Sequence, residues 1–213
     1  NCRLCYYCLH MPQRPALYAN RFVYGFVSSD VALSPRGGFS QYMHMTNRSW
    51  VFKIPENLSS DRAVLTEPAA VATRAVERAL GPGIPHIGEG LGLDKKVLVM
   101  GAGPIGQLVI AVLAHIGTDK IIATPHWRSV RPYSATSAMA SDPISSRETG
   151  GVPVAFQESL ELVRRGGLVV EVGHFTDPGA TEIRPHIVCF KDLDIRGMWA
   201  YPAMQFKTAL SFL

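Results

Sequence analysis

Hydrophobic and polar positions change rhythm several times along this chain. Over residues 21–27 and 38–45 apolar side chains alternate or run together, and 50–54 repeats the pattern. Pro35, Gly37 and Gly38 stand between them as turn residues, so residues 21–60 are expected to be β-structure. Ser59, Ser60 and Asp61 then offer N-cap chemistry before a helical period that lasts over 62–80. Pro68 lies inside that period and is expected to kink or split the helix, because proline lacks the backbone donor and clashes with the preceding turn. Gly81-Pro82-Gly83-Ile84-Pro85 ends it.

Beyond residue 94 the rhythm is different. Lys96–Met100 reads KVLVM, a short unbroken apolar run of the kind buried on both faces of a parallel sheet. A glycine-rich turn follows, then an apolar helix over 104–117 and a second strand over 119–124. Residues 125–151 are rich in Ser, Pro and Arg and have no period. An amphipathic helix over 153–165 is closed by Gly166-Gly167. A strand over 168–172 ends at Gly173, another covers 193–197, and a last helix begins at 203. Strands alternating with helices predict an α/β domain with a parallel sheet. Four strands are expected, with exposed edges, and the change of rhythm divides the chain into 1–80 and 81–213.

Composition narrows the function classes. With 47% hydrophobic and 18% charged residues the chain can bury a core and is too sparsely charged for a disordered polyelectrolyte. Its 19 Gly and 15 Pro in 213 residues stay below the roughly 25–30% of low-complexity chains. No apolar run reaches the roughly 18 residues of a membrane span, so no membrane partner is expected. Asn1 opens directly into a cysteine cluster without a basic and then apolar leader pattern, so no signal peptide is expected. The net charge of +4 permits anionic partners, but Lys and Arg are scattered rather than clustered, and no nucleic-acid partner is expected.

The chemistry concentrates in two places. Gly101-Ala102-Gly103-Pro104-Ile105-Gly106 follows a buried strand and opens a helix inside a strand–helix–strand unit, the context that a dinucleotide-binding fingerprint requires. Gly101 permits the tight turn, Gly103 lets the backbone approach a pyrophosphate, and Gly106 lets helix and strand pack closely. The start of the helix presents free N–H groups to the phosphates. The acidic residue expected about 20 positions on, for the ribose hydroxyls, is missing. The chain there reads Ala123-Thr124-Pro125-His126-Trp127-Arg128, and Arg128 and Arg131 either pair with a 2′-phosphate, favouring NADP, or are solvated loop residues. His174, after Gly173 at a strand end, is a candidate for the nicotinamide side. At the N-terminus Cys2, Cys5 and Cys8 form C-x2-C-x2-C, three thiols where structural zinc wants four thiolate or imidazole ligands, with His10 nearby. The site is either intact or a remnant. Cys189 stands apart and is expected to be a buried small hydrophobe, and Phe39, Trp50 and Phe52 are expected in the core of the β region.

Taken in order, these motifs are similar to a known family. The cysteine cluster, Tyr24-Gly25, Gly37-Gly38-Phe39-Ser40-Gln41-Tyr42, Val51-Phe52-Lys53-Ile54-Pro55, Glu67-Pro68, the glycine loop, Gly166-Gly167 with Gly173, and Asp194-Ile195-Arg196-Gly197 resemble the zinc-dependent medium-chain alcohol dehydrogenases, polyol/threonine dehydrogenase branch. The resemblance covers nearly the whole chain outside 125–150. It implies a partial GroES-like β catalytic domain with a cysteine-rich lobe over 1–80, followed by a partial Rossmann doubly wound sheet over 81–213. It further implies NAD(P) and zinc as cofactors and an alcohol or polyol substrate oxidised by hydride transfer. A cytoplasmic homo-oligomer, dimer or tetramer, is the associated expectation. Glu67 matches the branch's acidic residue near the catalytic metal, against the plainer reading of a surface helix carboxylate. Trp199 falls where the family lines the nicotinamide and substrate pocket.

This sequence also departs from the family. The first zinc-ligand Cys and the Gly-His-Glu segment that the family carries upstream of the cysteine cluster are not among these residues. No Cys stands near Ala16, where the family's fourth structural ligand is expected. Gly150-Gly151-Val152-Pro153 looks like two separated family segments joined, so an interruption between His126 and Pro153 is expected. The alternative to an active dehydrogenase is a catalytically inactive dinucleotide-binding homologue acting as an interaction protein.

Overall fold

The computed structural model describes residues 4–11, 14–18, 21–28, 30, 35–47, 49–80, 91, 95–124, 143–147 (backbone path), 153–173, 177 and 179–213. Its elements are α1 (Tyr6–His10), a 3-10 turn (Pro15–Leu17), α2 (Ser60–Ala63), α3 (Thr66–Leu80), β1 (Lys96–Met100), α4 (Pro104–His115), β2 (Lys120–Thr124), β3 (Pro143–Arg147), α5 (Pro153–Leu162), β4 (Leu168–Glu171), α6 (Pro185–Phe190), β5 (Asp194–Gly197) and α7 (Gln205–Phe212). The strands form one parallel sheet in the order β2-β1-β3-β4-β5. The chain leaves β1 toward one side and β3 toward the other, so the strand order reverses between these two neighbours. In open α/β sheets ligands gather in that crevice, outside the carboxyl ends of the strands.

Burial follows the pleat. Val97 and Val99 of β1 and Leu168 and Val170 of β4 pack with Val109, Val112 and Leu113 of α4 and with Ala72, Ala75, Val76 and Ala79 of α3. Val169, pointing the other way, packs with Leu160 and Val163 next to Phe156, Ile187 and Val188. Alternate residues of β4 therefore serve opposite faces, as period-2 geometry demands. The small residues of α3 let it lie close against α4 and the sheet, so this helix shares a core with the sheet that follows it in sequence. Gln205 ties α7 to α3 with its buried side-chain amide, donating to Thr73 Oγ1 at 2.9 Å and to Glu77 Oε1 at 3.0 Å.

Three expectations need correction. The sheet has five strands, not four: β3 comes from the stretch that showed no period and inserts between β1 and β4. A strand flanked on both sides completes its backbone bonding without needing an apolar signature of its own. The expected long helix is divided, but at Val64-Leu65 rather than Pro68. Pro68 sits in the first turn of α3, where the missing N–H has no intrahelical acceptor to lose.

The third correction concerns 21–60, where the described residues contain no strand. Backbone bonds there include Gly25 N–H to Arg36 O at 3.1 Å and His44 N–H to Pro35 O at 2.8 Å, without a ladder. Tyr24 knits the segment instead: its hydroxyl meets Ser49 Oγ at 2.6 Å and accepts the Thr46 N–H at 2.9 Å. Phe39 and Trp50 are exposed rather than core, since no second apolar layer faces them among the described residues. Phe52 is half-buried, its ring 5.9 Å from Phe206. The interruption expected between His126 and Pro153 lies largely outside the described residues.

Candidate functional site

The glycine loop occupies the carboxyl end of β1, beside the reversal of strand order. Gly101 has φ +100°, a conformation that residues with a Cβ rarely adopt, and its N–H donates to Thr124 O at the end of β2 at 3.0 Å. The loop is thereby pinned across two strands. Gly106 faces inward: a Cβ there would overlap the Gly101 carbonyl, whose carbon would lie 2.9 Å away. Only glycine lets α4 approach β1 this closely. Gly103 is the opposite case, since a Cβ on it would meet no atom of the described residues within 4 Å.

Gly103 is the N-cap of α4 and Pro104 its first residue. The first intrahelical bond runs from Gln107 N–H to Gly103 O at 2.9 Å. The amides of Ile105 and Gly106 therefore have no acceptor inside the helix, and the positive end of the helix dipole faces the same way. Gln107 Nε2 caps the loop carbonyl of Ala102 at 3.1 Å. The loop is a rigid cradle, open where the backbone would meet a ligand and closed where helix meets strand. Gly173, just past β4 on the same carboxyl edge of the sheet, donates its N–H to Glu171 Oε1 at 3.2 Å. His174 and Arg128 lie outside the described residues, as does Arg131.

Glu67 lies in the first turn of α3 and is exposed. Its Oε1 accepts the Tyr201 hydroxyl at 2.7 Å. Burial, with the Glu67 carboxylate beside it, pushes the Tyr201 phenol well above the usual tyrosine range. Nothing in the sequence pattern singled out Tyr201, though it stands two residues past Trp199. Trp199 is exposed on the segment after β5, where the Arg21 guanidinium lies 5.7 Å from its ring centre. Among the described residues no three His, Cys, Asp or Glu side chains converge as a metal would require.

The N-terminal thiols can be followed in part, because Cys2 lies outside the described residues. Cys5 caps α1 and Cys8 sits within it, and their sulfurs are 3.4 Å apart. Two thiolates sharing a tetrahedral zinc at about 2.3 Å each would be separated by roughly 3.8 Å, so the pair fits such an ion with a small adjustment. His10 turns elsewhere, its ring 4.8 Å from that of Tyr6. Cys189, expected to be buried, is exposed, because α6 is a short surface helix with no buried residue.

With this geometry established, the likenesses of the chain can be stated. No family model matches it. It is 30% identical over 189 residues to L-threonine 3-dehydrogenase of Burkholderia mallei, an alignment covering 79% of this chain and 51% of the relative. The chain thus spans about half the length of the curated relatives it matches. Among solved structures it superposes on an alcohol dehydrogenase from Thermotoga maritima with TM-score 0.81, at 21% identity, over all of this chain and 62% of that one. A zinc-binding dehydrogenase from Sinorhizobium meliloti 1021, solved bound to NADP, gives TM-score 0.74 at 20% identity, over all of this chain and 63% of that one. The fold is α/β, with a Rossmann doubly wound parallel sheet preceded by part of a GroES-like domain. By sequence and fold together, this chain belongs to the zinc-dependent medium-chain alcohol dehydrogenase family, in the polyol/threonine dehydrogenase branch.

Proposed function

We propose that the chain forms the cofactor-binding portion of an oxidoreductase that transfers hydride between a secondary alcohol or polyol and NAD(P). One observation carries this reading: at the reversal of strand order, Gly106 is closed against Gly101 while Gly103 is open to an incoming ligand. A plain strand-to-helix turn would need the first feature and not the second. A dinucleotide, when bound, supplies the hydride acceptor. The chain's own residues position it: Gly101, Gly103 and the amides of Ile105 and Gly106 hold the pyrophosphate, and Pro104 fixes the direction of the first turn. Gly173, His174 and Trp199 are assigned to the nicotinamide side, and Arg128 to the ribose side.

Cys5 and Cys8, with Cys2, are assigned to a structural zinc, for which the 3.4 Å sulfur pair is the support. Glu67 is assigned to the edge of the substrate site, where its bond to Tyr201 fixes the carboxylate. It gathers no co-ligands among the described residues, and no metal-dependent step is assigned to it. The L-threonine 3-dehydrogenase relative supports a small alcohol as substrate. No described helix is long and apolar enough to cross a membrane. A cytoplasmic homo-oligomer, dimer or tetramer, completes the proposal.

Calorimetry with NADH and NADPH tests the reading. The parent protein should bind at least one of them. Gly103→Val should weaken that binding at least tenfold while leaving the circular dichroism spectrum intact, because a side chain there intrudes on the pyrophosphate and not on the protein. Unchanged affinity in the folded variant would refute the assignment.

A further inference from the structure

A second concave site lies away from the glycine loop. It is a cleft of about 330 Å³ between the 3-10 turn, α3 and the segment that follows β5, lined by Arg14, Arg74, Arg78, Met198, Trp199 and Tyr201 among others. The volume is at the small end of the range for small-molecule sites. Arg74 and Arg78 stand one helical turn apart on α3, which puts both on the same face.

The cations here outnumber the carboxylates that answer them. Arg196 is committed, its Nε to Asp194 Oδ2 at 2.8 Å and its Nη1 to Arg78 O at 3.0 Å. Arg74 pairs with Glu77 at 3.3 Å across a half-exposed contact. Arg78 donates Nη2 to Gly197 O at 3.2 Å, while its Nε is buried and has no hydrogen-bond partner among the described residues. Burial first, and then the repulsion of Arg14, Arg74 and Arg196, lowers the pKa of Arg78. A guanidinium donor left unmatched among like charges costs stability, and an anion entering the cleft would relieve the repulsion among these arginines.

The cleft wall is also held in an unusual shape. Ala200, between Trp199 and Tyr201, has φ +52°, a left-handed conformation that non-glycine residues rarely adopt. Such strain concentrates at binding sites. Arg21 braces the wall from outside, donating to Ala16 O at 3.1 Å while its guanidinium lies over the Trp199 ring.

We propose that this cleft binds the anionic group of a small molecule, a carboxylate or a phosphate, through the guanidinium groups of Arg14, Arg74 and Arg78, with the Trp199 ring against its apolar part. Guanidinium forks match the oxygens of both anions. The cleft adjoins the carboxyl end of β5, and because the sheet is parallel that is the edge that carries the glycine loop. The proposal shares Trp199 with the nicotinamide assignment but rests on the arginines, and its test separates the two.

Calorimetry on the full chain at low ionic strength, with inorganic phosphate and with acetate as probes, reads the site. One anion should bind per chain. Binding should persist in Gly103→Val, where the glycine loop is obstructed. It should fall by about tenfold or more in Arg14→Gln/Arg74→Gln, since a hydrogen bond to a charged group contributes about 1.5–3 kcal/mol. Should that double variant not fold, Arg14→Gln alone, altered outside the sheet core, should still weaken binding measurably. A preference for phosphate points to a phosphate-ester ligand, and a preference for acetate to a carboxylate, both within the proposal. Binding of neither probe at millimolar concentration would overturn it. So would binding lost in Gly103→Val yet retained in the arginine variants, which would place the anion in the glycine loop.

Discussion

Gly106→Ala and Gly103→Ala are the same chemical change three residues apart, and the structure assigns them opposite consequences. At Gly106 the new methyl would lie 2.9 Å from the Gly101 carbonyl carbon and closer still to its oxygen. Carbon atoms settle at about 3.5–4.0 Å, so α4 must move off β1 by more than half an ångström. That movement opens the contact of Val109 and Val112 with Val97 and Val99. It also strains the Gly101 N–H bond to Thr124. Overpacking of this kind costs about 1–3 kcal/mol. Taking about 2 kcal/mol, the melting temperature of a chain this size should fall by roughly 4–8 °C. At Gly103 the methyl meets no atom of the described residues, and the N-cap φ of −70° admits alanine. The entropic gain of about 0.4–1 kcal/mol offsets alanine's poorer N-cap preference, so stability should hold. Differential scanning calorimetry of the two variants, without cofactor, reads the difference. Equal melting temperatures, or a Gly103→Ala variant less stable than Gly106→Ala, would refute the division of roles within the loop.

Three further perturbations test other parts of the account. Lys191 Nζ donates to the carbonyls of Leu160, Glu161 and Val163 at 3.0, 2.7 and 2.9 Å, closing the end of α5. Lys191→Met should lower unfolding free energy by about 1.5–3 kcal/mol in urea titration, and a change within error would show the cap to be inert. The Tyr201 phenol is held above its unfolded pKa of about 10, so its contribution to stability is full below that pH and fades as pH rises beyond it. Tyr201→Phe should therefore flatten the loss of stability between neutral pH and pH 11, and an unaltered profile would count against a buried neutral phenol. The purified protein should carry about one zinc bound by thiolates, and Cys5→Ser should reduce it to a trace. Full zinc content in that variant would place the metal elsewhere.

Much of the sheet was legible because burial writes itself into sequence. β1 and β4 are buried between helices and read as unbroken apolar runs, KVLVM and LVVE with its preceding Gly-Gly. β3 reads Pro-Ile-Ser-Ser-Arg and was not legible, because backbone pairing on both sides defines it. α6 is only six residues long, too short for a period to declare itself, although Pro185 at its first position was a usable start signal. In 21–60 the alternation was real, yet alternation specifies a strand only where a partner and an apolar layer receive it. The glycine loop was legible from spacing, since its constraints are local. The arginine cleft was not, because nothing in sequence announces that Arg14 comes to rest opposite Arg74 and Arg78.

The central claim is that the start of α4 receives a dinucleotide, and amide hydrogen exchange across residues 101–107 tests it directly. The Ile105 and Gly106 amides have no acceptor within the helix, so they should exchange quickly in the free protein. Saturating NADH or NADPH should slow exchange in this segment by tenfold or more, while the amides at the opposite end of α4, near His115, stay unchanged. Cofactor that binds and protects some other segment, leaving 101–107 as fast as before, would contradict the account.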